Sequence, residues 1–270
     1  MTLERDYVLG THDDEIARLG VQHRVWQARV RDVWRRAGLG PGHTLIDVGC
    51  GPGYASIDLA AVAGPTGRVL AVDRSRRFLD ALEAAREARG LRNIETFECD
   101  LDEDALPPGP VDGAWCRWVL AFVKHPRRLL EQIHARLRTG GVFVSHEYLD
   151  YATWRFLPAS AEFEEFVRFV MASWRAAGGE PDIARPLPAW LSELGFDVEV
   201  RPIVDVIGPS HAIWPWPRAF VESGLRRLVE LGVLGADRAD ATWRLFVERE
   251  KDPRSLMVMP LVLEVIATRR

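Results

Sequence analysis

The stretch Leu45-Ile-Asp-Val-Gly-Cys-Gly-Pro-Gly53 decides the fold of this 270-residue chain. It joins a short apolar run, which begins at Thr44, to a helix of small residues that begins at Tyr54. Its three glycines let the backbone turn tightly and let a ligand approach, and the following helix offers free N–H groups. The segment therefore predicts a strand–turn–helix unit that binds a ligand. The alternative is a tight turn that binds nothing.

The spacing of the glycines limits which ligand this turn can hold. A dinucleotide fingerprint has the spacing G-x-G-x-x-G, whereas this turn has the spacing G-x-G-x-G and is followed by Tyr54 and Ala55. Asp47 stands directly before the turn, where a carboxylate repels a pyrophosphate but suits a cationic ligand. A nicotinamide-dependent oxidoreductase on the same kind of fold is therefore the weaker alternative.

Strands and helices go on alternating on the C-terminal side of the turn. The apolar runs that predict strands are 44–48, 68–72, 93–98, 111–119 and 142–145. Five alternations with near-continuously apolar strands predict a doubly wound, mostly parallel α/β sheet that helices cover on both faces. Asp47, Asp73 and Asp100 are spaced by about one βα unit each. We therefore expect all three at or near the carboxyl edge of the sheet, where such folds bind ligands.

The pattern changes after Tyr148. Residues 155–178 and 214–251 have the periodicity of helices, and residues 196–206 between them that of a strand. Residues 254–268 predict a last strand that runs antiparallel. Pro260 interrupts it, which favours a place at an edge or a bulge.

We interpret the chain as a single domain with three parts. Residues 1–43, a polar lead-in followed by an amphipathic helix, form an N-terminal helical lid. Residues 44–150 are the ligand-binding core, and residues 151–270 contain the late strands with helical insertions that build an acceptor pocket.

Composition excludes several classes of protein. The formal net charge is −4 and the arginines are scattered, so no nucleic-acid footprint is visible. The first residues lack an apolar core for a secretory signal, and no apolar run can span a bilayer, so we expect a cytoplasmic protein without a membrane partner. Three cysteines without C-x-x-C spacing predict neither a disulfide framework nor a metal site. The scarcity of lysine is typical of GC-rich bacterial genomes, and a homodimer is left open.

Motifs along residues 44–150 resemble those of class I S-adenosylmethionine (SAM)-dependent methyltransferases. The segment Asp47-Val-Gly-Cys-Gly-Pro-Gly53 resembles motif I, and Asp112-Gly-Ala-Trp-Cys-Arg-Trp-Val-Leu120 resembles the fourth-strand motif. Leu137-Arg-Thr-Gly-Gly-Val-Phe143 is similar to the L-x-P-G-G turn, with Thr139 in place of proline. Gln22-His-Arg-Val-Trp26 is similar to a segment of bacterial small-molecule methyltransferases, including relatives of the quinone-biosynthesis group. The resemblance implies a seven-stranded Rossmann-like sheet and SAM as the cofactor.

The resemblance also implies a role for each cofactor-binding candidate. Gly49, Gly51 and Gly53 would bring the backbone against the methionine part of SAM, and Asp47 would favour its ammonium group. Asp73 would accept two ribose hydroxyls; the alternative, a cap for the next helix, is a role that Ser75 can fill.

Three further pairs of candidates follow from the same family. Asp100 would face the adenine amino group beside the Leu101 backbone, with Asp102 and Asp104 as alternative contacts. Arg117 and Trp118 would lie near the sulfonium, the alternative being an arginine that reaches solvent. Gln22 and Trp26, one helical turn apart, would close the methionine end as part of a lid, or would pack on the core.

A proton acceptor is needed only if the methylated group must lose a proton. His146, Glu147 and Tyr148 follow the fifth predicted strand at the ligand edge and are the candidates for the base or for acceptor contacts. The ten tryptophans all lie outside the first three strands. They stand in the parts of the chain with which such a fold would build its acceptor pocket. We therefore predict methyl transfer to a small apolar acceptor, aromatic or polyketide-like. A non-catalytic SAM-binding protein is the second alternative.

Overall fold

The computed structural model describes residues 13–270, and the predicted polar lead-in before residue 13 lies outside the described residues. The helices are α1 Asp13–Arg36, α2 Tyr54–Ala63, α3 Arg76–Ala88, α4 Pro126–Arg136, α5 Ala161–Ala176, α6 Leu187–Glu193, α7 Pro215–Glu230 and α8 Ala236–Lys251. The strands are β1 Thr44–Val48, β2 Arg68–Asp73, β3 Ile94–Glu98, β4 Val111–Arg117, β5 Leu137–Asp150, β6 Arg155–Leu157, β7 Phe196–Ile203, β8 Val206–Ile207, β9 Leu256–Val258 and β10 Leu261–Arg269.

The main sheet has seven strands in the order β3-β2-β1-β4-β5-β10-β7. Strands β1 to β5 pair in parallel, and β10 runs antiparallel to both of its neighbours. The predicted doubly wound, mostly parallel sheet is therefore confirmed. Its strand order reverses between β1 and β4, and ligands bind beyond the carboxyl ends of the strands at such a point.

Helices cover both faces of this sheet. Val69 and Ala71 of β2 belong to one apolar cluster with residues of α2 and α3, whereas the alternate residues Leu70 and Val72 belong to a second cluster with residues of α4 and α6. Strand side chains alternate between faces, so an almost entirely apolar β2 is what a sheet covered twice requires. The helices α5, α7 and α8 pack on one another, and α1 packs against α7.

The late part of the chain departs from the sequence predictions in three places. The predicted helix 155–178 begins only at Ala161, because β6 occupies the first residues and Ser160 caps α5 by accepting the N–H of Phe163 at 3.3 Å. The predicted strand 196–206 is divided into β7 and β8. The predicted helix 214–251 is two helices, separated around Gly232, whose φ is +68°.

The last predicted strand also forms two strands. Pro260 falls between β9 and β10, so its missing N–H is not needed in either ladder. The prediction of an antiparallel strand is confirmed, and the register shifts between Leu261 and Val262, next to the proline. Of the two places that the proline favours, the bulge agrees with this register shift, and the edge position is wrong because β10 lies between β5 and β7. Within residues 13–270, no helix has both the length and the apolar character that a bilayer crossing requires.

Candidate functional site

A cavity opens at the carboxyl edge of the sheet, next to the point where the strand order reverses. Its wall consists of the glycine turn, the segments that follow β2, β3 and β4, and side chains from β5, α1, α5 and α7. It encloses about 980 Å³ of empty space, its open mouth included. A smaller cavity beside it shares Leu19, Gln22, Gly49, Gly51 and Arg117.

The three glycines of the turn differ in what their missing side chains allow. All three have left-handed φ values, +68° at Gly49, +54° at Gly51 and +79° at Gly53, which favour glycine. A Cβ atom would collide with Val119 at Gly49 and with Leu82 at Gly53. At Gly51 the nearest atom is Leu19 Cδ1 at 3.8 Å. Gly49 and Gly51 line the cavity, whereas Gly53 is buried behind it.

Asp73 stands at the end of β2 and lines the cavity. The N–H of Gly51 donates to its Oδ2 at 2.8 Å, and the N–H of Ser75 donates to its Oδ1 at 2.9 Å. Ser75 caps α3 by accepting the N–H of Phe78 at 3.3 Å, so that role does not fall on Asp73. Burial raises the pKa of Asp73. A backbone hydrogen bond from Arg74 also reaches this carboxylate. Each carboxylate oxygen can accept two hydrogen bonds, so Asp73 keeps acceptor capacity for a ligand.

Asp47 lines the smaller cavity and is only 2% exposed. Ser56 Oγ donates to its Oδ2 at 2.6 Å. Burial raises the pKa of Asp47 to about 7, and the hydrogen bond from Ser56 and the charge of Arg117 oppose this rise. At neutral pH Asp47 is therefore only partly ionised, and a cation that enters this cavity would favour its carboxylate form.

Arg117 ends β4 and lines both cavities. Its Nη2 lies 3.4 Å from His23 Nδ1, and its guanidinium lies 5.2 Å from the ring centroid of Trp118. Its Nη1 is buried and has no hydrogen-bond partner within residues 13–270. Burial lowers the pKa of Arg117 to about 10, and the charge of Asp47 opposes this change. The alternative of an arginine that reaches into solvent does not fit this environment.

The loop after β3 brings Asp100, Leu101 and Asp102 to the cavity wall. Asp102 is engaged in the protein itself, because its Oδ1 accepts the N–H of Lys124 at 2.7 Å. Asp104 accepts the N–H of Asp100 at 2.8 Å and is not part of the wall. Asp100 Oδ1 accepts the N–H of Asp102 at 3.0 Å, whereas Asp102 Oδ1 accepts the N–H groups of both Lys124 and His125. Of the two acids in the wall, Asp100 therefore has more capacity left for a ligand.

An aromatic stack forms the wall beyond β4. Trp118, whose left-handed φ of +51° is unusual for a residue with a side chain, lies between the ring of Tyr148 at 5.2 Å and that of Trp216 at 5.3 Å. Trp26 packs edge-on against Trp118 at 5.1 Å, is 1% exposed and is not in the wall. Of the two lid candidates, Gln22 lines the cavity and Trp26 packs on the core.

The three base candidates occupy different environments. His146 and Glu147 have no exposed surface and are not in the cavity wall. The prediction ended the fifth strand at Ser145, but β5 continues to Asp150, so both residues lie inside the sheet. His146 pairs with Arg117, the last residue of β4, so it lies level with the ligand edge as expected, but neither His146 nor Glu147 is in the cavity wall. Tyr148 does line the cavity, and burial raises its pKa, so it is a phenol that keeps its proton and can donate a hydrogen bond.

His146 and Glu147 have partners within the protein instead. His146 Nε2 lies 3.2 Å from Glu264 Oε2. Glu147 Oε1 accepts the N–H groups of Val119 at 2.9 Å and Leu120 at 3.0 Å, which holds the turn after β4. Burial raises the pKa of Glu147 to about 7.

Sequence reasoning missed several residues of the wall. Arg18 and Leu19 lie one helical turn before Gln22, so the face of α1 that contains Gln22 could have indicated them. Phe122, Trp174 and Phe220 come from three separate segments, and no local pattern marks them.

Comparison with known proteins agrees with this geometry. Residues 45–141 match a family model described as a methyltransferase domain. A demethylmenaquinone methyltransferase of Geobacillus stearothermophilus is 27% identical over 207 residues, which cover 70% of this chain and 85% of the relative. Residues 45–141 are therefore a methyltransferase domain, and the comparisons support a class I SAM-dependent methyltransferase with SAM as the cofactor.

Solved structures share the fold of this methyltransferase at low sequence identity. A phosphoethanolamine N-methyltransferase of Haemonchus contortus has a TM-score of 0.59 at 16% identity, over 92% of this chain and 56% of the other. The [4+2]-cyclase SpnF has a TM-score of 0.54 at 18% identity, over 90% of this chain and 80% of the other. A fold shared with a cyclase does not by itself determine the reaction.

Proposed function

We propose that this protein transfers the methyl group of SAM to a small, flat, apolar acceptor of aromatic or polyketide-like type. One observation carries the proposal: the same cavity runs from the glycine turn to a wall of aromatic rings. The rings that line it are Phe78, Trp118, Phe122, Tyr148, Trp174 and Phe220. SAM would supply an electrophilic methyl on its sulfonium, so the protein has chiefly to orient two molecules and exclude water.

The residues at the turn fit the methionine end of SAM. Gly51 leaves open a space that a Cβ atom would enter, and Gly49 lies beside it in the wall. Asp47 would hold the ammonium group, and the buried Nη1 of Arg117 would donate to the carboxylate. A buried donor without a partner is costly, so Arg117 favours a ligand with an acceptor at this point.

The residues at the ends of β2 and β3 fit the nucleoside. Asp73 is fixed by two backbone N–H groups and would accept ribose hydroxyls on its remaining sites. Asp100 and the Leu101 backbone would face the adenine. Gln22 is held by Trp216 Nε1 and Arg18 Nη1, both at 3.1 Å, and would close the methionine end of the cavity from α1.

The remaining wall fits an acceptor that is flat and mostly apolar. Phe122 and Trp174 pack with their ring centroids 4.5 Å apart, and the rings of Trp174 and Phe220 lie 6.4 Å apart. Aromatic walls give rigid contact area to planar ligands. The phenol of Tyr148 would donate a hydrogen bond to an oxygen of the acceptor. The name of the curated relative states demethylmenaquinone as the molecule that it methylates, which supports a quinone-like acceptor.

A two-step experiment tests this proposal. Calorimetric titration with SAM measures cofactor binding, and turnover of methyl-labelled SAM is then measured with a panel of quinols, phenols and amines. We expect binding of SAM and transfer to a planar member of the panel. Binding without transfer to any member would favour a non-catalytic SAM-binding protein, and tight binding of a nicotinamide dinucleotide in place of SAM would contradict the proposal.

A further inference from the structure

His23 lies one residue after Gln22 on α1, and it is 4% exposed. Its ring joins two charged groups, since Nε2 lies 3.1 Å from Asp58 Oδ2 and Nδ1 lies 3.4 Å from Arg117 Nη2. A guanidinium only donates hydrogen bonds, so Nδ1 must accept and the ring proton must be on Nε2, which donates to Asp58. The two contacts together select one neutral tautomer of His23.

Asp58 on α2 is a firm anchor for this ring. Its carboxylate also accepts hydrogen bonds from Gln27 Nε2 at 2.8 Å and Arg31 Nη2 at 2.9 Å. These partners keep the pKa of Asp58 well below its usual range, although burial opposes them. Asp58 thus stays ionised and is hydrogen-bonded to three residues of α1. Of these three, His23 is the one that also contacts Arg117 in the cavity wall.

Arg117 depends on His23 for its orientation. Within the described part of the chain, His23 Nδ1 is the hydrogen-bond acceptor for its guanidinium, while Nη1 has none. The face of the Trp118 ring lies 5.2 Å away but offers no directional acceptor. The hydrogen bond from Nη2 to His23 is therefore the contact that favours one orientation of the guanidinium over the others.

We infer that His23 is a positioning residue: anchored by Asp58, it accepts a hydrogen bond from Arg117 and fixes the guanidinium for the carboxylate of SAM. This inference rests on the proposed role of Arg117 in cofactor binding. His23 itself touches neither cavity, because it is absent from both walls.

Two amide substitutions separate the two hydrogen bonds of His23. In His23→Asn the amide oxygen can occupy the place of Nδ1 and keep an acceptor for Arg117. In His23→Gln the longer amide can reach the place of Nε2 and keep the donor for Asp58, while the acceptor for Arg117 is lost. We expect the dissociation constant of S-adenosylhomocysteine, measured by calorimetry, to rise ~10-fold in His23→Gln and ~2-fold or less in His23→Asn.

Gln27→Met is the matched control. It removes one hydrogen bond of Asp58 from the same helix without touching Arg117. We expect a lower melting temperature and an unchanged dissociation constant. In His23→Gln, turnover at saturating SAM should stay close to that of the wild type while KM for SAM rises, because Arg117 holds the cofactor before and during the reaction alike.

The pH dependence gives a second readout. Burial lowers the pKa of His23 from its ordinary value of 6.5; the charged groups that face the ring are Asp58 on α2, Arg117 on β4 and Arg31 on α1. Protonation places a donor on Nδ1, so the affinity of the wild type for S-adenosylhomocysteine should fall at acid pH more steeply than that of His23→Asn. Subtracting the two curves removes the titration of Asp47, which both proteins share.

Nitrogen NMR of the wild-type imidazoles checks the tautomer in the unaltered protein, and His23→Asn serves only to assign the signal. We expect the signal that disappears in His23→Asn to be that of a neutral ring protonated on Nε2. An Nδ1–H tautomer, or equal affinities in the two amide variants, would overturn the inference while leaving the proposed function intact. Failure of the wild type to bind S-adenosylhomocysteine would overturn both.

Discussion

The two halves of the cavity wall are built in different ways. The cofactor half is made of backbone and short side chains from β1, β2 and the loops that follow, and its acid Asp73 is held by the N–H groups of Gly51 and Ser75. The acceptor half is made of large rings from the segment after β4 and from β5, α5 and α7. The backbone fixes the geometry of the cofactor half, whereas the shape of the acceptor half depends on how its side chains pack. We therefore expect substitutions to separate cofactor binding from acceptor binding.

The largest effect is expected for Gly51→Val. The side chain would occupy the space beside the turn, so the affinity for SAM should fall by ~100-fold or more, beyond what one lost hydrogen bond costs. Calorimetry measures this loss. Gly90→Val is the matched control, because Gly90 also has a left-handed φ, +66°, and open space around it, but lies outside the cavity. Equal affinities in the two variants would contradict a role of Gly51 in the cofactor half.

Asp73→Ala should have the next largest effect. The loss of charge-assisted hydrogen bonds to ribose hydroxyls costs about 1.5–3 kcal/mol, which corresponds to roughly 10- to 150-fold in affinity for SAM. KM for the acceptor should change little, because Asp73 lies in the cofactor half. An unchanged SAM affinity would mean that Asp73 serves only the turn.

Tyr148→Phe tests the acceptor half alone. The ring and its stack on Trp118 remain, and only the hydroxyl is lost. A neutral hydrogen bond contributes about 0.5–1.5 kcal/mol, so the acceptor KM should rise by ~3- to 10-fold. The affinity for SAM should stay at the wild-type value; a fall of similar size in both affinities would show that the two halves are not separable.

The smallest expected effect is a dependence of SAM affinity on pH. Burial raises the pKa of Asp47 to about 7, so in the free protein half of this acid is protonated at that pH. A cationic ligand favours the carboxylate, so affinity should rise by about twofold from pH 7 to pH 8, with release of a proton. Asp47→Asn should abolish this rise.

Glu147 provides the control for this titration. Its pKa is also raised to about 7 by burial, but it lies outside the cavity. Glu147→Gln should therefore leave the pH dependence of SAM affinity unchanged. Because the pKa of the folded state is above the ordinary value of 4.5, Glu147 favours the folded state below pH 4.5, and this contribution is lost as the pH rises through 7. Urea unfolding at several pH values should show a shallower fall in Glu147→Gln.

The cofactor half could be predicted from the sequence because its determinants are local. Three glycines at fixed spacing, an acid at the end of each of two strands and the alternation of strands and helices place Gly49, Gly51, Asp73 and Asp100 on one edge. Parallel strands joined by right-handed crossovers bring their carboxyl ends together whatever the rest of the chain does. Arg117 was found for the same reason, because it ends β4.

The acceptor half could not be predicted, because its residues share no local pattern. The ten tryptophans indicated a flat pocket, yet within the described residues only Trp118 and Trp174 line the main cavity, while Trp26 and Trp34 are core residues with 1% exposure. The spacing of tryptophans along a helix is the same whether their rings face a ligand or the core. Only the packing of α5 and α7 on the sheet distinguishes the two.

The sequence by itself determined the sheet, its ligand edge and the acids on that edge, since each depends on residues close together in the chain. The tertiary structure decided which candidates reach the cavity. Strand β5 extends past His146 and Glu147, which stay buried within it. Of the three base candidates, only Tyr148 lines the cavity. The length of a strand depends on its partners, and β5 is extended by β10, which lies more than a hundred residues later in the chain. A pairing that distant leaves no local pattern in the sequence.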